Sequence, residues 1–385
     1  MHILFATTDF VENNGPTTGL PKYLYRTSLK LVEWGHKVTV VACSNRTVEY
    51  EYYGIEVFRV RKYNIQKLDD EYLDEINNCL RNALIIHETI EKVLSRDKVD
   101  IIQYTNLSGI SYFHDFNIPS IVRLSSYAKM WPLIGLKGRT RARTEIEIAA
   151  SKKCDAIICP SNVVAKEFAA DISCNVDVIE TPFVMESIKE DYLIYDNLLR
   201  NKKYLLFFGT LIEYKGLKVI AEAAYKILST FDSLYIVLIG DGNTELIKEI
   251  ENAAGELANR IIYHGAISFD ELVPVIKEAY AVMLPSLMEN FSNACVEAMA
   301  LKKVVIGTDG VSFEQLIRDG ESGFLCEPGN SESLFDSVFR LMKLSDDEKM
   351  TIEKNARRRI EDLAPEKVTT QLVEYYKMVI QNYLP

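Results

Sequence analysis

Short apolar segments alternate with amphipathic helical segments along the chain, and this alternation restricts the possible folds more than any other feature. In the first half, the apolar run His2–Thr7 is followed by helix-like stretches such as Pro21–Trp34 and Asn82–Leu94. In the second half, the apolar run Tyr204–Phe208 precedes the helix-like stretch Gly216–Ser229. Strands that alternate with helices predict α/β domains with parallel sheets covered by helices on both faces.

The length of 385 residues predicts two domains. The polar segment Glu186–Lys203 separates the two series of strands and helices, so we place the linker there. The predicted domains are therefore residues 1–185 and residues 186–365. A last amphipathic helix, residues 366–385, follows the second domain.

Composition excludes several classes of function. The net charge of −11 falls mostly in the second half, which argues against nonspecific nucleic-acid binding because that needs a basic surface. No apolar run reaches the length of a bilayer span, and no basic leader precedes the first strand, so we expect a cytoplasmic protein. The seven cysteines lack metal-ligand spacing and are expected to be reduced thiols: Cys43, Cys79, Cys154, Cys159, Cys174, Cys295 and Cys326.

The segment after the apolar run Ala281–Leu284 joins a predicted strand to a predicted helix across two carboxylates. The helix begins at about Ser292, and Glu289 and Glu297 lie on either side of its start, with seven residues between them. Free N–H groups at a helix N-terminus bind anions, and the helix dipole adds to the attraction. Carboxylates do not bind phosphate, but they accept hydrogen bonds from sugar or ribose hydroxyls. Together these features suggest a nucleotide-sugar site.

A second informative segment follows another predicted strand. The strand ends near Gly209, a loop follows, and Lys215 and Gly216 open a helix. The carboxyl ends of parallel strands are where α/β sheets bind ligands. A lysine at this place can neutralise a departing diphosphate as a point charge.

These two segments resemble the retaining glycosyltransferases of the large family with two glutamates separated by seven residues, the family 4-like, group 1 glycosyl transferases. The resemblance implies a GT-B fold, with two Rossmann-like domains, a cleft between them and a C-terminal helix, 366–385, that crosses back to the first domain. It also implies that the donor binds in the second domain and the acceptor mainly in the first. No Asp-x-Asp motif is placed to hold a metal, so we expect neither a metal nor another cofactor.

The resemblance assigns roles to residues of the second domain. Glu289 and Lys215 are the expected catalytic residues: Glu289 holds sugar hydroxyls and stabilises an oxocarbenium-like transition state, and Lys215 stabilises the leaving diphosphate. Glu297 is expected to bind the ribose hydroxyls. The full donor-binding set is Gly209, Thr210, Lys215, Gly240, His264, Glu289, Asn290, Phe291, Ser292, Asn293 and Glu297.

Two of these positions leave alternatives open. Thr210 stands where the family has an arginine, so either its hydroxyl donates a neutral hydrogen bond or a cation arrives from elsewhere. His264 lies in the region that borders the nucleotide base, and it is also compatible with an inert loop histidine.

The first domain matches the family less closely. The residues expected near the acceptor or the cleft are Gly19, Arg123, Ser125 and Ser126. The loop Gly15–Gly19 stands in for a glycine-rich loop. Ser125 or Ser126, and Gln103 on the preceding strand, occupy places where the family often has histidine.

Residues 123–143 contain six basic residues, no acidic ones, and an apolar stretch. Such a composition suits contact with an anionic membrane or with an acceptor that carries phosphate and lipid. The alternative is a loop whose apolar residues pack under the domain.

The expected function is transfer of a hexosyl group from a nucleoside diphosphate sugar, favouring UDP over GDP, to a glycan, lipid-linked or small-molecule acceptor, in cell-surface polysaccharide synthesis. Two alternatives stay open. The first is another reaction on the same fold, namely sugar-nucleotide epimerisation or polysaccharide phosphorolysis. The second is a non-catalytic partner protein that keeps the fold without turnover, which Thr210 and the missing histidines favour.

Overall fold

The computed structural model describes residues 1–11, 19–63, 67–130, 140–185 and 188–384. The chain forms two compact units, Met1–Phe183 together with Leu363–Pro385, and Val184–Asp362. The segment in which the sequence analysis places the linker belongs to the second unit from residue 188 onward. Its first two residues, 186 and 187, lie outside the described residues.

The first unit has an α/β architecture built on a largely parallel sheet. Its described strands are β1 (His2–Thr7), β2 (Lys37–Ser44), β3 (Val48–Tyr52), β4 (Ile55–Arg61), β5 (Ile101–Thr105), β6 (Ser120–Arg123), β7 (Ala156–Cys159) and β8 (Asp177–Val178). They are ordered β3-β4-β2-β1-β5-β6-β7-β8, and every pair is parallel except β3 with β4. The helices that follow the strands are α1 (Gly19–Glu33), α2 (Glu71–Leu94), α3 (Thr140–Ser151) and α4 (Asn162–Ile172).

The second unit repeats the architecture with a sheet whose described strand pairs are all parallel. Its strands are β9 (Lys203–Phe208), β10 (Leu234–Ile239), β11 (Ile261–His264), β12 (Ala281–Leu284), β13 (Val305–Thr308) and β14 (Phe324–Cys326), in the order β11-β10-β9-β12-β13-β14. Its helices are α5 (Leu217–Thr230), α6 (Thr244–Ala254), α7 (Phe269–Glu278), α8 (Asn293–Ala300), α9 (Ser331–Met342) and α10 (Asp346–Ile360). The predicted pair of Rossmann-like domains is confirmed.

The last helix, α11 (Pro365–Asn382), packs in the first unit. Its apolar stripe joins the core that α1 forms with the central strands, where Val368, Leu372 and Tyr376 are buried. The central strand β1 is buried along its whole length, as its unbroken apolar run predicts for a strand covered on both faces.

The sequence pattern does not predict three elements. The edge strand β3 is a short run of alternating acidic and aromatic residues, and it is antiparallel to its neighbour. Helix α2 begins at Glu71, eleven residues before the predicted start. The apolar pattern misses these first turns because they bury the carboxylates Asp74 and Glu75 and not apolar groups. Helix α10 is strongly polar, and a capping box between Ser345 and Glu348 marks its start.

Candidate functional site

Loops from neighbouring strands meet at the carboxyl edge of the second sheet, and backbone hydrogen bonds tie them together. The N–H of Gly240, after β10, donates to the C=O of His264, at the end of β11, at 3.1 Å. The N–H of Leu287, after β12, donates to the C=O of Tyr214, after β9, at 2.8 Å. Residues from four strands are therefore held in one fixed arrangement.

Two glycines permit this close approach. Gly216 has a φ of +83°, and a Cβ atom there would lie 1.8 Å from the carbonyl oxygen of Pro285. Gly240 has a φ of +144°, and a Cβ atom there would lie 1.9 Å from the carbonyl oxygen of Gly209. Any other residue at these positions would push the loops apart.

Lys215 and Glu289 form an ion pair, although they are 74 positions apart in the sequence. Lys215 ends a short 3₁₀ turn, Glu213–Lys215, directly before α5, and Glu289 lies in the loop between β12 and α8. The two side chains are 24% and 13% exposed, so the pair is shielded from water without being closed off. The ammonium group also lies 5.6 Å from the ring centre of Tyr214.

Helix α8 begins next to this pair. Ser292 caps it by accepting the N–H of Cys295 at 3.3 Å. Burial raises the pKa of the Cys295 thiol, and the nearby charge of Glu289 raises it further. Glu297 lies within the helix and is buried. The structure thus places a cation, a helix N-terminus and two carboxylates on adjacent elements of one sheet edge.

Thr210 and His264 lie at the same edge, Thr210 in the loop after β9 and His264 at the end of β11. Thr210 is exposed directly after Gly209, and His264 is half-buried, with its Nδ1 atom 3.1 Å from the carbonyl oxygen of Gly265. Lys218, one turn after Lys215, pairs with Glu213 at 2.7 Å.

In the first unit, Arg123 lies in the interior and not at an open surface. It is only 2% exposed, its guanidinium group stacks on the ring of Tyr23 at 3.6 Å, and it donates to the hydroxyl of Thr181 at 2.9 Å. Gln103 donates to Tyr23 at 3.0 Å and accepts from Tyr376 of α11 at 2.6 Å. Arg123 is therefore part of the interior of the first unit, and its expected place near the acceptor or the cleft stays a prediction. Gln103 belongs to a buried network that ties α1 to α11.

Ser125 and Ser126 lie in the loop that follows β6, and both are half-buried. Asn106 fixes this loop, since its side-chain oxygen accepts the N–H of Ser125 at 2.8 Å and its amide donates to the C=O of Ser126 at 2.6 Å. Gly19 forms the start of α1, and the loop residues 12–18 before it lie outside the described residues.

Glu147 supports the same loop from α3. Its Oε2 atom accepts the N–H of Ala128 at 3.3 Å, and its Oε1 atom is buried without a hydrogen-bond partner among the described residues. Burial raises the pKa of this carboxyl to about 8, although the Ala128 N–H and the charge of Arg143 favour the ionised form. The sequence gives no signal for this role, because a glutamate in a polar helix normally faces solvent.

The basic stretch 123–143 carries less free charge than its composition implies. Apart from the buried Arg123, its described basic residues are all paired with carboxylates: Lys129 with Asp171, Arg141 with Glu145, and Arg143 with Glu75. The apolar residues and the two remaining basic residues, within 131–139, lie outside the described residues. The described part of the stretch therefore does not support the predicted contact with an anionic membrane.

The described residues also bear on membrane spans and on metal sites. No helix among them is long and apolar enough to cross a membrane. No group of three or more histidine, cysteine, aspartate or glutamate side chains among them is arranged to hold a metal ion. The expectation of metal independence remains a prediction.

The fold and its carboxyl edge define a two-unit α/β protein in which polar side chains converge at the carboxyl edge of the second sheet. A family model described as group 1 glycosyl transferases matches residues 194–359, and a second, described as glycosyltransferase family 4, matches residues 17–184. Between them the two models span most of the chain. The chain therefore belongs to the family 4-like, group 1 glycosyltransferases.

Relatives with established or assigned names match parts of the chain. A phosphatidyl-myo-inositol mannosyltransferase of Mycobacterium leprae is 29% identical over 143 residues, which cover 37% of this chain and 37% of the relative. An uncharacterized glycosyltransferase of Methanocaldococcus jannaschii, MJ1178, is 27% identical over 50% of this chain and 51% of its own length. A second protein of that organism, MJ1607, is 23% identical over 81% of this chain and 82% of its own. The chain thus matches only about half or less of the first two relatives.

Solved structures show the same fold over the whole chain. Sucrose-phosphate synthase from Thermosynechococcus elongatus superimposes with a TM-score of 0.79 at 16% identity and covers 100% of both chains. HepE of Anabaena, solved in complex with UDP, gives a TM-score of 0.72 at 17% identity and covers 98% of this chain and 100% of its own. These matches place the protein in the GT-B fold.

Replacing Gly216 with alanine should destabilise the second unit by about 3 kcal/mol or more, because a strained positive φ alone costs about 1–2 kcal/mol and the clash with the Pro285 carbonyl adds to it. The measurement is the free energy of unfolding in urea. Gly329→Ala is the matched control: this glycine also has a positive φ, +67°, but the nearest atom to its Cβ would be at an ordinary 3.8 Å. Equal losses in both variants would contradict the steric role of Gly216.

Replacing Glu147 with glutamine should make the protein more stable than the wild type, by a margin that grows from about pH 4.5 to about pH 8. Below pH 4.5 the Glu147 carboxyl is protonated in both the folded and the unfolded chain, so its ionisation takes nothing from the free energy of unfolding. As the pH rises, the unfolded chain loses this proton while the folded chain keeps it until about pH 8, which costs up to about 1.4 kcal/mol per pH unit. Urea unfolding at several pH values measures the margin.

The control for this pH series is Glu167→Gln, which removes an exposed glutamate from α4 of the same unit. This variant should follow the wild type at every pH. A margin for Glu147→Gln that stays constant with pH would show that the carboxyl is ionised in the folded protein.

Proposed function

We propose that the protein is a glycosyltransferase that moves a hexosyl group from a UDP-sugar to an acceptor hydroxyl, with retention at the anomeric carbon and without a metal. The second unit would bind the donor and the first unit the acceptor. Membership of the group 1 glycosyltransferases supports the reaction class. A cytoplasmic role in the synthesis of cell-surface polysaccharide or glycolipid is part of the proposal, and the names of several relatives, among them a lipopolysaccharide glycosyltransferase of Salmonella typhimurium, are consistent with it.

The observation that carries the proposal is the convergence of Lys215 and Glu289 beside the N-terminus of α8. A nucleoside diphosphate sugar has a dianionic leaving group, sugar hydroxyls and ribose hydroxyls. For the diphosphate the site offers an ammonium group and a helix N-terminus. Glu289 would bind the sugar hydroxyls, and Glu297 would bind the ribose hydroxyls.

In the proposed reaction, the bond between the anomeric carbon and the diphosphate oxygen breaks as the acceptor oxygen attacks from the same face. Lys215 and the N–H groups at the start of α8 stabilise the negative charge that develops on the diphosphate. Glu289 stabilises the positive charge on the sugar ring and fixes its hydroxyls. The acceptor proton passes to the departing phosphate oxygen, so the reaction does not require a separate protein base.

The choice of uridine is supported by the structural neighbours. HepE of Anabaena was solved with UDP and with UDP-glucose, and a trehalose-6-phosphate enzyme of Escherichia coli was solved with UDP-2-fluoro glucose. The named relatives differ in acceptor, since they include a mannosyltransferase for phosphatidyl-myo-inositol and an N-acetylglucosaminyl malate synthase. The donor base is therefore better supported than the acceptor.

UDP should stabilise the protein against thermal unfolding in the presence of EDTA, and GDP, ADP and CDP should do so much less. A ligand at a hundredfold over its Kd adds about 2.7 kcal/mol. Lys215→Ala should lose most of this stabilisation, because its ammonium group is the expected partner of the diphosphate. Differential scanning fluorimetry of the wild type and the variant measures both effects.

The matched control for Lys215 is Lys218→Ala, which removes an exposed lysine one turn away that is already paired with Glu213. It should bind UDP like the wild type. Absence of any nucleotide effect on the wild type would refute the sugar-nucleotide function, and a stabilisation that needs divalent metal would refute metal independence.

Replacing Glu289 with glutamine should leave UDP binding intact and slow sugar transfer by about 10²- to 10³-fold, the usual cost of removing one group that stabilises transition-state charge. Single-turnover transfer or donor hydrolysis, followed by release of UDP, measures the rate. The control is Glu213→Gln, an exposed carboxylate five residues beyond β9. A wild-type protein that binds UDP yet never turns over would identify the non-catalytic partner instead.

A further inference from the structure

A cavity of about 460 Å³ opens at the carboxyl edge of the first sheet, where β4, β2, β1 and β5 lie side by side. Its lining includes Thr8 and Asp9 after β1, Ser44 and Asn45 at the end of β2, and Lys62 after β4. Cavities of about 300–1,000 Å³ with a few convergent polar groups are typical of small-molecule sites. The volume suits a monosaccharide with one substituent.

Two oppositely charged side chains in this cavity lack an ion-pair partner within the part of the chain that the structure describes. Lys62 and Asp9 are both exposed, and among the described residues neither pairs with the other or with a third residue. The N–H of Lys62 donates to the C=O of Ser44 at 3.0 Å, and the N–H and C=O of Asp9 are both bound to the hydroxyl of Thr7. These hydrogen bonds fix the backbone of both residues, so that a cationic and an anionic side chain start from defined positions on the rim of one cavity.

The other cation in the lining, Arg59, serves the fold. It is 4% exposed, and it donates to the C=O of Phe10, to the C=O of Val11 and to the hydroxyl of Tyr50. The charge of Arg59 adds to the positive potential of the cavity, but its guanidinium N–H groups already donate hydrogen bonds within the protein. Lys62 is therefore the cation available to a ligand.

The start of α1 adds to the preference for an anion at this cavity. Leu20 and Pro21, from its first turn, line the cavity, and this 15-residue helix has no acidic residue in that turn. The positive end of its dipole is thus not neutralised by its own side chains. Lysine and a helix N-terminus are a common combination for phosphate, while hydroxyl and amide groups such as those of Ser44 and Asn45 suit sugar hydroxyls.

We propose that this cavity binds the acceptor and that the acceptor is a sugar or polyol carrying a phosphate monoester. Lys62 and the start of α1 bind the phosphate, and Asp9, Ser44 and Asn45 bind the hydroxyl groups. This assignment rests on the proposed glycosyltransferase function in calling the ligand an acceptor. The binding chemistry of the cavity stands independently of it.

The test uses isothermal titration calorimetry on the full chain with a panel of probes, with and without saturating UDP. The probes are the 1- and 6-phosphates of glucose, mannose and galactose, the three free sugars, and inorganic phosphate. At least one sugar phosphate should bind more tightly than both its free sugar and inorganic phosphate. Lys62→Gln should weaken that binding by at least about tenfold, as expected for loss of a hydrogen bond to a charged group.

Two further variants separate a specific contact from a general charge effect. Lys62→Arg keeps the positive charge and should retain most of the affinity for the sugar phosphate. Lys166→Gln removes an exposed lysine from α4 of the same unit, away from the cavity, and should bind like the wild type. Thermal unfolding of each variant without ligand checks that the fold is unchanged.

The inference is overturned if no sugar phosphate binds, if inorganic phosphate or the free sugar binds equally well, or if the Lys62→Gln variant binds normally. These outcomes are distinct from failure of the proposed function. If UDP stabilises the protein through Lys215 but no sugar phosphate binds, the glycosyltransferase function is supported and the acceptor assignment is refuted. Sugar-phosphate binding that depends on Lys62, without any nucleotide effect, would support the sugar-phosphate site and refute the glycosyltransferase function, so that the ligand could no longer be called an acceptor.

Discussion

The candidate donor site depends on the close backbone approach between the loops that follow β9 and β12. Because Gly216 lacks a side chain, the carbonyl group of Pro285 can approach it, and the N–H of Leu287 can reach the C=O of Tyr214. This contact fixes the residue before Gly216, which is Lys215, within reach of Glu289. The ion pair is therefore a consequence of backbone packing and is not what holds the loops together. A partly shielded pair adds little stability by itself, since desolvation offsets much of the attraction.

The two units use their charged residues in different ways. In the second unit, Lys215 and Glu289 at the carboxyl edge stay within reach of solvent, while Glu297 is buried. In the first unit, several polar groups at the same edge are taken into the interior: Arg123 stacks on Tyr23, and Gln103 joins Tyr23 to Tyr376 of the last helix. Buried polar groups of this kind are tolerated only when they are hydrogen-bonded or stacked. This internal network helps to attach α11 to the first unit.

Glu147 illustrates a related trade-off. A carboxyl group at 1% exposure with an unpartnered oxygen is costly when ionised, which is why its pKa rises to about 8. In return it holds the N–H of Ala128, and Asn106 holds the two preceding serines. The loop after β6 is thus positioned by side chains from elsewhere in the chain and not by its own sequence.

The sequence by itself determined the α/β class, the two parallel sheets and the position of most strands, because hydrophobic periodicity reflects burial directly. It also identified Lys215, Glu289 and Glu297 as a set, since they follow strands whose carboxyl ends share one edge. Tertiary structure alone decided which polar residues face a ligand and which serve the interior. Arg123 and Lys62 are both basic residues at or just after a strand end, and only packing buries the first and leaves the second on the rim of a cavity. The physical reason is that burial and partner choice depend on contacts between segments far apart in the chain, which no local pattern records.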